Sequence, residues 1–104
     1  MSRETDWWLY LLDCDGRLYT GISTDPERRL AEHRQGGSRA ARFTRGAREL
    51  ALKYAVPIGD RSLAQRAEAQ LRRLPRAEKL AIVRERLSRT DLLQRLGLAA
   101  MPEN

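Results

Sequence analysis

Four side chains in the first third of the chain combine a positive charge with groups that can move protons. Tyr10 and Tyr19 carry phenols, and Arg29 and His33 stand four residues apart, which is one turn of a helix. A guanidinium stabilises negative charge on an oxyanion, and an imidazole exchanges a proton near neutral pH. A phenol, with a pKa of about 10, needs that pKa lowered or a metal-bound water before it takes a proton. Acid–base chemistry is one interpretation, and aromatic packing with an ordinary hydrogen-bonded histidine is the other.

The two tyrosines lie in a segment that predicts a β-hairpin. Residues 7–12 form a short apolar run with two tryptophans, which is typical of a strand buried on both faces. Asp15 and Gly16 follow, and an Asp-Gly pair is the strongest local signal for a two-residue hairpin turn. Residues 17–22 should therefore return antiparallel to the first strand.

This turn also predicts the register of the hairpin. Leu12 should face Tyr19, and Tyr10 should face Gly21. Both tyrosines then lie on one side of the ribbon as diagonal neighbours, with room beside Tyr10 at the glycine.

A helix is predicted to follow the hairpin and to run to Gln35. Thr24 is the expected N-cap, with Pro26 in the first turn and Glu27 closing a capping box. Helical geometry puts Arg29 and His33 on the same arc as the apolar contacts of the helix, an unusual place for a purely solvated charge.

The remaining chain predicts one more strand and three helices. Residues 50–56 form the third strand, Asp60 or Ser62 can cap a helix with a leucine and alanine stripe, and Pro75 separates that helix from the next. The expected fold class is α+β, with a three-stranded antiparallel sheet flanked by helices. We expect a single domain over residues 1–104, with a core over about 7–86, a C-terminal helix over about 90–98 and a frayed tail over 99–104.

Charge points to a polyanionic partner. Basic residues exceed acidic ones by 20 to 14, giving a net charge of +6, and 18 of the basic residues are arginines. Arginine binds phosphate through its planar fork, although a GC-rich genome would also favour it. The candidate phosphate contacts beside the helix are Arg34, Arg39, Arg42, Arg45 and Arg48. Solvated charge on a loop is the alternative.

The cysteine count and the hydropathy pattern indicate in which cellular compartment the protein is expected. Cys14 is the only cysteine, which excludes an intramolecular disulfide and a cysteine-rich metal site. The sequence shows no signal-peptide pattern at its N-terminus and no apolar run long enough to span a bilayer. We therefore expect a cytoplasmic protein with no membrane partner.

The pattern of the first 33 residues resembles that of GIY-YIG nucleases, in the small stand-alone bacterial form called UPF0213-like. The resemblance rests on the triplet Trp8-Leu9-Tyr10, on Tyr19-Thr20-Gly21, and on Arg29 and His33 on the next helix. Only the tyrosines and the glycine agree with the letters of the motif, and the departures fall on side chains that would pack. The resemblance extends over about residues 7–86.

The resemblance implies roles for these residues. Tyr10 or Tyr19 would activate or orient the attacking water, Arg29 would bind the scissile phosphate, and His33 would transfer a proton or position a tyrosine. Glu68, on the helix after the third strand, would hold Mg²⁺ or Mn²⁺, because magnesium is commonly bound by one or two carboxylates and waters. Glu78 is the alternative ligand, and an ordinary surface glutamate is the alternative for Glu68.

The expected function is thus a metal-dependent endonuclease that hydrolyses nucleic-acid phosphodiesters. DNA is favoured over RNA, and in particular branched, damaged or single-stranded DNA of the kind met in DNA repair, because so short a chain leaves little room to read base sequence. A catalytically weak or inactive nucleic-acid-binding accessory with the same fold is the alternative. A protein-interaction module with an incidentally basic surface ranks last, and the sequence indicates no particular protein partner.

Overall fold

The computed structural model of the chain describes residues 6–35 and 48–98. Within these ranges, no helix is long and apolar enough to cross a membrane. Three strands and four helices follow one another in the order β1 (Trp7–Cys14), β2 (Arg17–Ser23), α1 (Pro26–Gln35), β3 (Leu50–Gly59), α2 (Arg61–Arg73), α3 (Arg76–Glu85) and α4 (Arg89–Arg95). The predicted α+β class is confirmed.

The strands form one antiparallel sheet in the order β2-β1-β3, with β1 at its centre. The predicted hairpin register is confirmed, because Tyr10 pairs with Gly21 and Leu12 with Tyr19. Asp15 and Gly16 have φ angles of 54° and 91°, the positive values that a type I′ turn needs at both central positions.

Each face of the sheet has its own apolar cluster. On one face, α1 contributes Leu30 to a cluster with Tyr10, Leu12, Cys14 and Leu50. On the other face, α2, α3 and α4 cover the alternate residues of β1 and β3, which are Leu9, Leu11, Tyr54, Val56 and Ile58. Because side chains of a strand alternate between faces, the central strand β1 supplies both clusters and is buried on both sides, as its apolar run predicts.

The sequence-based helix start was wrong by one residue. The side chain of Asp25, and not that of Thr24, accepts a hydrogen bond from the Arg28 backbone N–H at 3.1 Å, and the Asp25 carbonyl accepts from the Arg29 N–H. Ser23 Oγ in turn accepts from the backbone N–H of Asp25 at 2.9 Å. Asp25 is therefore the N-cap, and Pro26 occupies the first helical position, where its missing N–H costs nothing.

Two other boundaries also differ from the sequence-based expectation. The third strand, expected to end at Val56, continues through Pro57 to Gly59, which β3 tolerates because it is an edge strand and needs no N–H on its outer side. The last helix, expected over residues 90–98, spans Arg89–Arg95 and is capped by Ser88. The tail expected to fray, residues 99–104, lies outside the described residues.

The hairpin tip is tied to the chain that enters β3. The Asp15 carboxylate accepts hydrogen bonds from the backbone N–H groups of Arg48 and Glu49 at 3.1 and 2.8 Å, and the Asp15 N–H donates to the Glu49 carbonyl. The backbone donors of Glu49 and Arg48 hold the pKa of Asp15 below its usual range. The tip thus fixes where the third strand begins.

Leu71 offers a test of the helical face of the sheet. It is 0% exposed in the cluster between α2 and the sheet, whereas Leu80 is 39% exposed on α3. Leu71→Ala should lower the free energy of unfolding by about 2–5 kcal/mol through the lost burial and the cavity left behind. The same truncation at Leu80 should cost about 1 kcal/mol or less, and equal losses in urea denaturation would contradict this packing.

Candidate active site

Tyr10 and His33 meet in the interior between the sheet and α1. Tyr10 projects from the central strand, His33 comes from the last turn of α1, and both side chains are fully buried. The Tyr10 hydroxyl and His33 Nε2 are 3.3 Å apart, a hydrogen bond between residues 23 positions apart in sequence. The inward arc predicted for α1 therefore brings the histidine onto the first tyrosine.

Gly21 leaves the space into which the Tyr10 ring extends. A Cβ added at Gly21 would overlap the hydroxyl and the neighbouring ring carbons of Tyr10. Since Gly21 is the cross-strand partner of Tyr10, the phenol lies directly over the second strand. A side chain at position 21 would push the hydroxyl away from His33.

Arg29 is the second partner of the Tyr10 hydroxyl. Its guanidinium hydrogen-bonds to Tyr10 and also forms an ion pair with Glu32, with Nη1 2.9 Å from Oε1. A guanidinium can only donate, so the Tyr10 oxygen accepts from Arg29 and its O–H proton remains for His33. Nε2 of His33 is then the acceptor, which places the ring proton of the neutral imidazole on Nδ1.

Tyr19 completes a cluster of three rings. Its ring centroid lies 5.4 Å from that of His33, with the planes at 70°, and 6.5 Å from that of Tyr10. Tyr19 is half-buried, unlike the other two rings, and so forms the side of the cluster closer to solvent. Edge-to-face contacts of this kind keep the rings in a defined orientation.

The surroundings keep both tyrosines and the histidine neutral. Burial raises the pKa of Tyr10 above its usual range, with repulsion between the ionised forms of Tyr10 and Tyr19 as a smaller cause, and burial also raises the pKa of Tyr19. Burial and then the positive charge of Arg29 lower the pKa of His33 below 6.5. At neutral pH the imidazole is therefore the group of the three that can accept a proton without first losing one.

Glu68 reaches this cluster from the other side of the sheet. It lies on α2, and its negative charge contributes to the raised pKa of both Tyr10 and Tyr19. Its side chain is 20% exposed, and Oε2 accepts from Arg72 Nη2 at 2.7 Å. Glu78, the alternative metal ligand, is exposed in the first turn of α3.

The donor set fits magnesium better than a metal held mainly by protein. Among the described residues, no group of three or more His, Cys, Asp or Glu side chains could hold a metal ion. Magnesium keeps several waters and uses substrate phosphates, so it binds through one or two carboxylates. A single half-buried carboxylate whose charge acts on the tyrosines is compatible with such an ion.

Two of the five arginines predicted to bind phosphate can be located. Arg34 Nη2 donates to the Leu50 carbonyl at 3.1 Å, and Arg34 and Arg48 line a cavity of about 540 Å³ with Glu49, Leu50 and Ala51. Both arginines are exposed. The other three, Arg39, Arg42 and Arg45, lie outside the described residues.

Sequence reasoning missed two charged partners of the candidate residues. Glu32 pairs with Arg29 at i+3, and Arg72 pairs with Glu68 at i+4. The spacing of opposite charges on one helix face was a signal available in the sequence. Such pairs are common on solvated helices, so this spacing alone does not mark a functional site.

Comparisons with known proteins identify relatives of this chain. A family model described as the GIY-YIG catalytic domain matches residues 6–81. The UPF0213 protein YhbQ of Escherichia coli is 44% identical over 93 residues, covering 88% of this chain and 91% of its own length. The same protein of Shigella boydii serotype 18 gives the same identity and coverage. The solution NMR structure of the UPF0213 protein BH0048 from Bacillus halodurans is 32% identical, covers 77% of this chain and 84% of its own, and has a TM-score of 0.49.

The chain belongs to the GIY-YIG family, which is a family of nucleases. Within that family its relatives are small UPF0213 proteins, a name that states no particular activity.

The charge of Arg29 can be tested through the pKa of His33, the only histidine in the chain. Arg29→Gln should raise that pKa, though not fully to 6.5, because burial is the larger cause of the shift. Arg28→Gln, which removes a neighbouring exposed charge, should change it less. An NMR titration of the imidazole ring protons measures the pKa of His33 in both variants. Equal shifts in the two variants would contradict a specific effect of the Arg29 charge on His33.

The lowered pKa of His33 also makes the stability of the fold depend on pH. The unfolded chain binds the proton more readily than the folded one, so the stabilising contribution of neutral His33 is fully present above a pH of about 6.5. It is lost as the pH falls through the folded pKa. Urea denaturation of the wild type and of His33→Gln over this range should therefore converge as the pH falls, and a constant difference would contradict the shift.

Proposed function

We propose that the protein is a metal-dependent endonuclease that hydrolyses phosphodiester bonds of nucleic acid, with DNA favoured over RNA. The observation that carries this proposal is the buried Tyr10 hydroxyl between Arg29 and His33, within reach of the charge of Glu68. This combination supplies a cation for a phosphate, a route for a proton and a carboxylate for a metal ion.

Arg29 is proposed to bind the scissile phosphate. Its side chain is half-buried, so a charge on it is less screened than on an exposed arginine. The guanidinium has five N–H donors and can keep its contact with Tyr10 while it donates to a phosphate oxygen. That phosphate would replace or share the contact that Glu32 makes in the free protein.

Tyr10 and His33 are proposed to remove the proton from the attacking water. As the water oxygen bonds to phosphorus and the bond between phosphorus and the leaving oxygen breaks, the water proton passes to the Tyr10 oxygen, and the Tyr10 proton passes to Nε2 of His33. The leaving oxygen takes a proton from solvent. Tyr10 thus remains a neutral phenol before and after the step, which suits a side chain whose burial raises its pKa. Tyr19 lies beside both rings and is proposed to orient the water.

Glu68 is proposed as the protein ligand of Mg²⁺ or Mn²⁺. A divalent cation there would supply positive charge to the phosphoryl oxygen and to the leaving alkoxide. The half-buried carboxylate would provide one ligand, and waters and substrate oxygens would complete the coordination shell of the ion.

The proposed substrate is DNA of unusual structure, branched, damaged or single-stranded. One small domain offers little surface for reading base edges, so recognition of backbone shape is favoured. The proposed backbone contacts are the arginines beside the site, Arg34, Arg39, Arg42, Arg45 and Arg48.

Cleavage tests the proposal directly. The wild type should nick a branched or partly single-stranded DNA in the presence of Mg²⁺, and chelation by EDTA should stop the reaction. Glu68→Gln and Arg29→Gln should each lower the rate by about 100-fold or more, because each removes a group that stabilises charge in the transition state. Arg28→Gln is the control of equal charge change on the exposed side of α1.

Two outcomes would contradict this proposal. Full activity of both Glu68→Gln and Arg29→Gln would refute the assigned roles. Salt-sensitive binding without metal-dependent cleavage of branched, damaged, single-stranded or duplex DNA, or of RNA, would instead support the non-catalytic accessory.

The arginines at the cavity predict a change in the salt dependence of binding. Arg34→Gln and Arg48→Gln should each reduce the slope of log affinity against log salt by about one, because each contact with a phosphate releases one counterion. Arg84→Gln, an exposed arginine on α3, should leave the slope unchanged. Fluorescence anisotropy with a labelled DNA at several salt concentrations measures this. A slope that changes equally in all three variants would refute a local contact.

A further inference from the structure

The candidate metal ligand already has a cationic partner. Arg72 Nη2 lies 2.7 Å from Oε2 of Glu68, one turn further along α2. The Arg72 side chain is 61% exposed, whereas that of Glu68 is 20% exposed. The pair therefore joins a carboxylate of the candidate site to a guanidinium that extends into solvent.

Arg72 also acts on the cluster of rings. Its positive charge is one of the causes that lower the pKa of Tyr19, opposing the larger effect of burial. Its charge is thus felt on the side of the cluster closer to solvent, where a substrate would approach.

The ion pair between Arg72 and Glu68 is of a kind that breaks easily and lets the carboxylate take another partner. An exposed i,i+4 ion pair contributes little to stability, because water screens it and two long side chains must be ordered to form it. A divalent cation bound to Glu68 would compete for the same carboxylate oxygen. Since two cations repel each other at one carboxylate, the guanidinium would leave the pair.

We propose that Arg72 occupies the carboxylate of Glu68 in the metal-free protein and, when displaced by the metal ion, contacts a phosphate of the substrate. This inference rests on the proposed function, and it adds a residue to the site. Arg72 keeps its five donors and its charge after displacement, and the nearest proposed source of negative charge is the nucleic-acid backbone. Metal and nucleic acid should then each strengthen the binding of the other.

The first experiment measures Mn²⁺ binding to the free protein by electron paramagnetic resonance at low ionic strength. Arg72→Gln removes the competing cation and should bind Mn²⁺ about twofold or more tightly than Arg73→Gln. Arg73 is the neighbouring exposed arginine on α2. Arg73→Gln therefore has the same net charge as Arg72→Gln and changes the same turn of the helix. Arg72→Lys should return the affinity toward that of the wild type.

The second experiment measures DNA binding with and without Mn²⁺, by anisotropy under conditions without turnover. Mn²⁺ should raise the affinity of the wild type and of Arg73→Gln for DNA. In Arg72→Gln this increase should be smaller, because the displaced guanidinium is missing. Arg72→Gln should therefore strengthen Mn²⁺ binding but reduce the effect of Mn²⁺ on DNA affinity. Loss of a purely structural residue would not change these two quantities in opposite directions.

The outcomes separate this inference from the function on which it rests. If Glu68→Gln loses Mn²⁺ binding but Arg72→Gln and Arg73→Gln bind it equally, the role of Arg72 is refuted and the metal ligand stands. If Mn²⁺ binds neither the wild type nor any variant, both the metal site and the role of Arg72 are refuted. If Arg72→Gln binds Mn²⁺ more tightly yet keeps the full increase in DNA affinity, the phosphate contact is refuted.

Discussion

The hydroxyl of Tyr10 is the group on which the arrangement of the site depends. A buried hydroxyl without partners is costly, and this one is surrounded by the sheet below and α1 above. Arg29 donates to its oxygen and His33 stands in position to accept its proton, so α1 must present both side chains to the same point of β1. Gly21 is required for the same reason, since the ring lies over it.

The two-sided sheet explains how groups from distant elements meet. Alternate residues of β1 serve two apolar clusters, one under α1 and one against α2, α3 and α4. The tyrosines lie on the α1 face, yet the charge of Glu68 reaches them from α2. The central strand, packed on both sides, holds the Tyr10 phenol in place, while the charged partner Glu32 is half-buried and Arg72 is exposed.

Much of the local structure could be predicted from short stretches of sequence. The Asp15-Gly16 turn determined the register of the hairpin, and the spacing of Arg29 and His33 put both on the inward arc of α1. The start of α1 was harder, because Thr24 and Asp25 are both good N-caps and Ser23 decides between them by accepting from the Asp25 N–H. The end of β3 was missed because proline usually ends a strand, and only the position of β3 at the edge makes it acceptable.

The sequence by itself determined the turn, the strand and helix types, the shared face of the tyrosines and the family pattern, since each depends on residues a few positions apart. Tertiary structure alone decided that Tyr10 bonds to His33, that β1 is central, and that α2 carries Glu68 toward the tyrosines. The physical reason is that these contacts join segments about 20 to 60 residues apart, whose meeting depends on how both faces of the sheet are covered. The region from Trp7 to His33 therefore contains the four candidate catalytic residues, and α2 carries the candidate metal ligand, Glu68.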